Sequence, residues 1–198
     1  MGEYWYLWLI LAGLIIVTAV VIFFAGRALS AHNEETKKFL AEIERLKTLK
    51  EKYKDLTEQK AQSADSRELL DGVNAVLQAR IEKAENAEAE FSSFNDSQKY
   101  VYCLYYFIED VKQSLSFFFK NNGAELTEII LPALKAVNAE NVYALTQTEF
   151  SMYDENNEEV SLDNQLSEQT DKQFLQNYSE KELLENIKEY IKNNIEKF

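Results

Sequence analysis

The chain is poor in the residues that most chemistry needs, with one cysteine, one histidine, one proline and five glycines among 198 residues. Each scarcity closes a class of function. A lone thiol makes no internal disulfide, and Cys103, set between Tyr102 and Leu104, reads as a buried inert group suited to a reducing compartment. One cysteine and one histidine build no zinc site. His32 is also far in sequence from Cys103, so no nucleophile–base pair suggests itself. The glycines are scattered at Gly2, Gly13, Gly26, Gly72 and Gly123, which leaves no loop to cradle phosphates. Asp154-x-Asn156-x-Glu158 opens like a calcium loop. It fails where Glu159 occupies the position that needs glycine and Gln165 the position that needs a bidentate glutamate. No two carboxylates are singled out as an acid–base pair. The expectation is a protein that is not an enzyme and carries no cofactor or metal.

Charge is absent from one long stretch only. Tyr4 to Gly26 is a 23-residue uncharged run followed at once by Arg27. As a helix it reaches about 34 Å, enough to cross a hydrocarbon core of roughly 30 Å. The preceding Met-Gly-Glu has no lysine or arginine, and the run is too long for a removable signal, so it reads as a retained single-pass anchor. Arg27, Lys37, Lys38 and Arg45 follow the run, which places the C-terminal part in the cytoplasm of a cell-membrane protein. Tyr4, Trp5, Tyr6 and Trp8 then form an aromatic belt on the outer side.

The remaining charge is unevenly divided. Residues 27–90 hold 12 basic and 14 acidic side chains, whereas residues 91–198 hold 9 and 19, and the whole chain balances at −13. Three parts follow: an anchor over residues 1–27, a helical stalk over 28–90, and an acidic helical domain over 91–198. Within the stalk, Phe39, Ile43, Leu46, Leu49, Tyr53 and Leu56 form one narrow stripe on a helix from Asn33 to Lys60. That stripe suits a short coiled coil and possible homo-oligomer formation, or a solvated spacer. Ser66 stands before a second apolar-periodic run, Leu69, Leu70, Val73, Val76, Leu77 and Ile81, and Ala84–Glu90 reads as a linker.

In the distal part, Asp96 or Ser97 caps a helix expected to run to Lys120, with Tyr100–Phe119 as aromatic core and Asn121-Asn122-Gly123 as the stop. Further helices are expected over Glu125–Val137, where Pro132 makes a kink or break, and over Glu140–Phe150. A polar loop covers Tyr153–Asn164. A capping box at Ser179–Glu182 opens a last helix with Leu183, Leu184, Ile187, Tyr190, Ile191, Ile195 and Phe198 on its core face. Strand alternation is nowhere convincing, so the fold class is all-α.

Between Ala136 and Asp171 there are nine acidic residues and no lysine or arginine: Glu140, Glu149, Asp154, Glu155, Glu158, Glu159, Asp163, Glu168 and Asp171. Such an array repels a phosphate backbone, so nucleic acid is not a direct partner. It attracts a basic protein, with an approach that weakens as salt rises. The bland alternative is a solvated face that serves solubility.

The order of features over Phe91 to Asn193 resembles the DNA mimic protein 19 family. The resemblance rests on Phe94-Asn95-Asp96-Ser97-Gln98-Lys99-Tyr100 opening a tyrosine-rich helix and on Phe117-Phe118-Phe119 closed by Asn121-Asn122-Gly123. Ile130–Ala139, the acid-rich loop and Leu183–Asn193 complete it. It implies an all-helical domain, in a family mostly of unknown function, whose carboxylates imitate the phosphates of duplex DNA. In the named member this decoy occupies a DNA-binding transcription factor. The function expected is non-enzymatic binding of a basic protein, one that binds nucleic acid included, by a membrane-anchored acidic domain. The alternative is a tethered coiled-coil scaffold.

Overall fold

The computed structural model describes residues 36–154 and 161–198. These are helical with connecting turns, and no strand occurs among them, as the all-α reading requires. The expected membrane span, Tyr4 to Gly26, lies outside the described residues. Among those that are described, no helix is long and apolar enough to cross a membrane.

The chain divides into two compact units, Met1–Arg45 and Leu46–Phe198. In the first, residues 36–45 are helical, Glu42 pairs with Arg45 at 2.7 Å, and Phe39 and Leu40 are exposed. The second unit begins far earlier than the expected domain boundary at residue 91. The segment read as stalk belongs to this unit from Leu46 onward and supplies core residues from Leu49 to Leu77.

The second unit opens with helical residues 46–53 (α1), followed by α2 (Glu58–Ser63), α3 (Ser66–Lys83) and α4 (Ala87–Ser93). The single helix expected from Asn33 to Lys60 stops at residue 53. The Lys60 ammonium takes over carbonyls left open there, donating to Lys52 O at 2.8 Å and to Asp55 O at 2.9 Å. Thr57 then caps α2 by accepting from the Lys60 N–H. Tyr53 lies flat on α3 because Gly72 leaves room for its ring: a Cβ at Gly72 would stand 2.1 Å from Tyr53 Cδ2. The Tyr53 hydroxyl donates to Glu68 at 2.7 Å. Asp65, one residue before the expected cap, accepts from the Arg67 and Glu68 N–H groups and starts α3.

The central element is α5 (Asp96–Asp110), which buries Val101, Cys103, Leu104, Phe107 and Ile108. Its cap is Asn95 rather than Asp96 or Ser97, in a reciprocal capping box with Gln98. The helix expected to continue to Lys120 ends at Asp110. Ser114 interrupts it by accepting from the Phe117 N–H at 3.0 Å, so α6 (Leu115–Asn121) starts afresh. Likewise the helix expected over Glu125–Val137 is two pieces, α7 (Ala124–Thr127) and α8 (Ile130–Ala136). Pro132 is the third residue of α8, where its missing N–H has no intrahelical partner to lose, so it produces no kink. After α8, Asn138 adopts a left-handed φ of 56°. The Asn138 N–H donates to Lys135 O and the Ala139 N–H to Leu134 O, which closes the helix in a Schellman turn.

Then follow α9 (Glu140–Met152), α10 (Gln165–Asn177), α11 (Glu180–Asn193) and a short 3₁₀ turn, Ile195–Lys197. Contacts sort these helices into two groups around α5. One group is α3 with α11, which also touches α2. The other is α8, α9, α10 and α6, with α9 against α8, α10 and α6. Leu183, Leu184, Ile187 and Ile191 of α11 are buried, as its spacing predicts. Phe107 ties α5 to the second group through edge-on contacts with Phe118 of α6 and Phe174 of α10, at 5.2 and 6.0 Å between ring centres.

Candidate protein-binding surface

The nine carboxylates expected to form an acidic face do not share one role. Glu155, Glu158 and Glu159 lie outside the described residues. Glu140, Asp154, Asp163 and Glu168 are exposed. Glu140 is in the first turn of α9 and Asp154 follows its other end, with a helix of about 18 Å between them. Asp163 precedes α10 and Glu168 is in its first turn.

Glu149 departs from the expectation of a surface residue, because it is fully buried. It belongs to the inward face of α9 with Val142 and Thr146, at helical spacing. One oxygen accepts from the Ser167 hydroxyl on α10, and the other has no hydrogen-bond partner among the described residues. Burial pushes its pKa up to about 7. The Ser167 hydrogen bond opposes this, the nearby Asp171 charge adds to it, and Lys120 opposes it.

Asp171 also has a local task. Its two oxygens accept from the Ser116 N–H at 2.9 Å and the Ser116 hydroxyl at 2.7 Å. Ser116 is the second residue of α6, so Asp171 satisfies one of the open N–H groups at that helix start from another element. Neither Glu149 nor Asp171 is therefore free to meet a partner.

A cleft of about 290 Å³ lies elsewhere on the second unit, between α3, α4, α5 and the α6–α7 turn. Ile81, Phe91, Tyr102 and Leu126 supply apolar walls, and Glu88 and Glu125 supply carboxylates. Among the described residues, no lysine or arginine lines it. Its base is fixed: Asn122 donates to Asp110 at 2.6 Å and to Phe118 O at 2.7 Å, and Asn121 donates to Asp110 at 3.3 Å. Beneath it, the Cys103 thiol is buried, donates to Leu126 O at 3.3 Å, and has its pKa raised by burial, in keeping with an inert group.

The aromatic residues around this cleft already attract cations. Lys99 Nζ stands 6.0 Å from the Phe91 ring centre, and Arg80 lies 4.6 Å over Phe94. Tyr102 packs against Phe91 at 5.4 Å and Tyr106 at 4.9 Å, and all three are only half-buried. The expected aromatic core thus includes a partly open aromatic edge.

Sequence reasoning misses this cleft because it takes Ala84–Glu90 as linker and the tyrosines as core. The available signal is slight: Phe91 follows Glu90 and Leu126 follows Glu125. Among the described residues, no group of three or more histidine, cysteine or acidic side chains is arranged to hold a metal ion.

A family model described as DMP19-like protein matches residues 92–194, just over half of the chain. No curated protein and no solved structure matches it. The chain belongs to the DMP19-like family.

Proposed function

We propose that this DMP19-like protein is a membrane-tethered binding module that captures a basic protein. Its exposed carboxylates steer the partner, and the Phe91–Tyr102 cleft receives one lysine or arginine side chain. The observation that carries this reading is the cleft itself: aromatic and aliphatic walls, Glu88 and Glu125, and no cation in its lining. An aliphatic stem covers the apolar walls, a cationic head lies over Phe91 or Tyr102, and the carboxylates neutralise it. Asp154, Asp163 and Glu168 add a salt-sensitive field that raises the encounter rate more than the affinity. The partner class that fits is a protein with a basic surface, including one that binds nucleic acid. The tether is the Tyr4–Gly26 run, with the module on the cytoplasmic side.

The test is retention of basic proteins on the immobilised full chain in detergent, at low and physiological salt. A specific partner kept at the higher salt and reduced about tenfold in affinity by the double change Glu88→Gln and Glu125→Gln supports the reading. Retention that is identical for wild type and double variant sinks it.

A second reading has its own observation. Phe39 and Leu40 are exposed by 66 and 57 % on a helical stretch otherwise rich in charge. Such a pair suits self-association of the first unit, which makes the chain a tethered scaffold. Light scattering of the detergent-solubilised chain and its Phe39→Glu variant separates the two readings. An assembly that the variant dissolves, without basic partners, favours the scaffold.

A further inference from the structure

The geometry points to an anion site on the opposite sign of charge from the rest of the molecule, fitted to the head groups of anionic phospholipids. A groove of about 170 Å³ runs between α1 and α3, and Lys50, Lys54, Arg80 and Lys83 line it over a floor of Val76 and Ala79. Acidic residues outnumber basic ones 34 to 21 in this chain, so four cations around one groove are a local reversal. Glu51 is the one acid in the lining and stands 3.7 Å from Lys50, while Arg80 pairs with Glu90 at 2.8 Å. Lys54 and Lys83 have no ion-pair partner among the described residues. In a protein with carboxylates to spare, two exposed ammonium groups left open at the same groove are available to an external anion.

The floor decides which anion. A free phosphate has nothing to cover Val76 and Ala79, whereas a phospholipid brings a phosphate together with glycerol and acyl carbons. Position in the chain favours the same occupant. This groove is built from the first helix and the third of the second unit, in the part of the chain with nearly balanced charge, whereas residues 91–198 carry the acidity that an anionic bilayer repels. The groove gives an acidic module one face that can rest on such a bilayer. The tether is the premise of the reading above, and the groove deepens it by naming the lipid.

The experiment reconstitutes the full chain into neutral phosphatidylcholine vesicles and into vesicles with about a third phosphatidylglycerol, then follows amine acetylation by mass spectrometry. Lys54 and Lys83 are expected to react about fivefold more slowly in the anionic vesicles at low salt, with exposed Lys135 unchanged and the difference erased at high salt. Equal rates at Lys54 and Lys83 in the two vesicles overturn the proposal. So does equal protection by inorganic phosphate in neutral vesicles, which assigns the groove to a soluble anion. Flotation of the same samples tests the tether separately. A chain that fails to float with neutral vesicles loses its anchor, but the groove stands if it floats with anionic ones and the Lys54→Glu, Lys83→Glu variant does not.

Discussion

On the α3–α11 side of the second unit, carboxylates that approach the core are met by a cation; on the α9–α10 side, the hydrogen bond that Glu149 makes among the described residues comes from a hydroxyl. Arg67 shows the first solution. Its guanidinium donates to Asp71 at 2.8 Å, to Glu180 at 3.2 Å and to Glu109, joining α3, α5 and α11, and it lies 5.9 Å over the Tyr105 ring. Burial alone pulls its pKa down and burial alone raises that of Glu109, but the mutual hydrogen bonds and charges outweigh both, with Lys112 adding to the hold on Glu109. The second solution leaves a buried oxygen of Glu149 without a hydrogen bond among the described residues and its proton affinity raised. One side of the fold is thus locked by charge, and the other is conditional on pH.

The largest effect expected is from breaking the locked side. Arg67→Ala strips Asp71, which is 3 % exposed, Glu109 and Glu180 of their shared cation. Losing one partner of a buried pair costs about 3 kcal/mol or more, because the remaining charge stays out of water. For a unit of this size that is a drop in Tm of roughly 10 °C by calorimetry at neutral pH. A drop under about 2 °C would place the network among surface pairs of little worth.

The conditional side is broken by pH. Glu149 has a folded pKa of about 7, above the ordinary carboxylate value of 4.5. The folded state therefore binds a proton that the unfolded chain releases, and stability falls as pH rises through the window from 4.5 to about 7. The loss amounts to at most about 3 kcal/mol, complete near pH 8. Glu149→Gln keeps the size and the Ser167 contact but removes the charge. Its Tm is expected to exceed wild type at pH 8 by a few degrees and to differ little at pH 5. A wild-type Tm that rises between pH 5 and 8 as in the variant refutes the assignment.

This contrast was only half legible in the sequence. The all-helical class and α11 follow from apolar spacing, because the buried stripe of α11 is made of side chains that periodicity detects, whereas the buried face of α9 is Val142, Thr146 and Glu149. The same spacing marks Glu149 as inward, through Val142 and Thr146, but a charge count over a run of acids hides a single residue that turns the other way. Helix α10 is absent from the expectations because its buried face is Ser167, Thr170 and Phe174, while Leu166 and Leu175 are exposed. Small polar residues that bury themselves against a glutamate give no hydrophobic signal; only Asn164, which caps Leu166 and Ser167, announces the start. The early boundary of the second unit was hidden for a different reason. Leu49 and Tyr53 belong to a stripe that reads as coiled coil, and Gly72, which lets Tyr53 close on α3, carries no pattern at all.

The smallest effect sharpens the comparison most. Asp171 is both the acceptor that caps α6 and a like charge beside Glu149. Asp171→Ala removes the two Ser116 hydrogen bonds, at about 1–2 kcal/mol, and at the same time relieves repulsion on Glu149. The two consequences differ in their dependence on pH. The cap is lost throughout the comparison, whereas the relief appears only where Glu149 is ionised, above about pH 7. The variant is therefore expected to fall furthest below wild type near pH 5 to 6 and to recover part of the loss near pH 8, with the midpoint of the pH–stability curve moved to lower pH. A loss that is constant across that range would show that Asp171 and Glu149 do not sense each other, and that the conditional side is governed by burial alone.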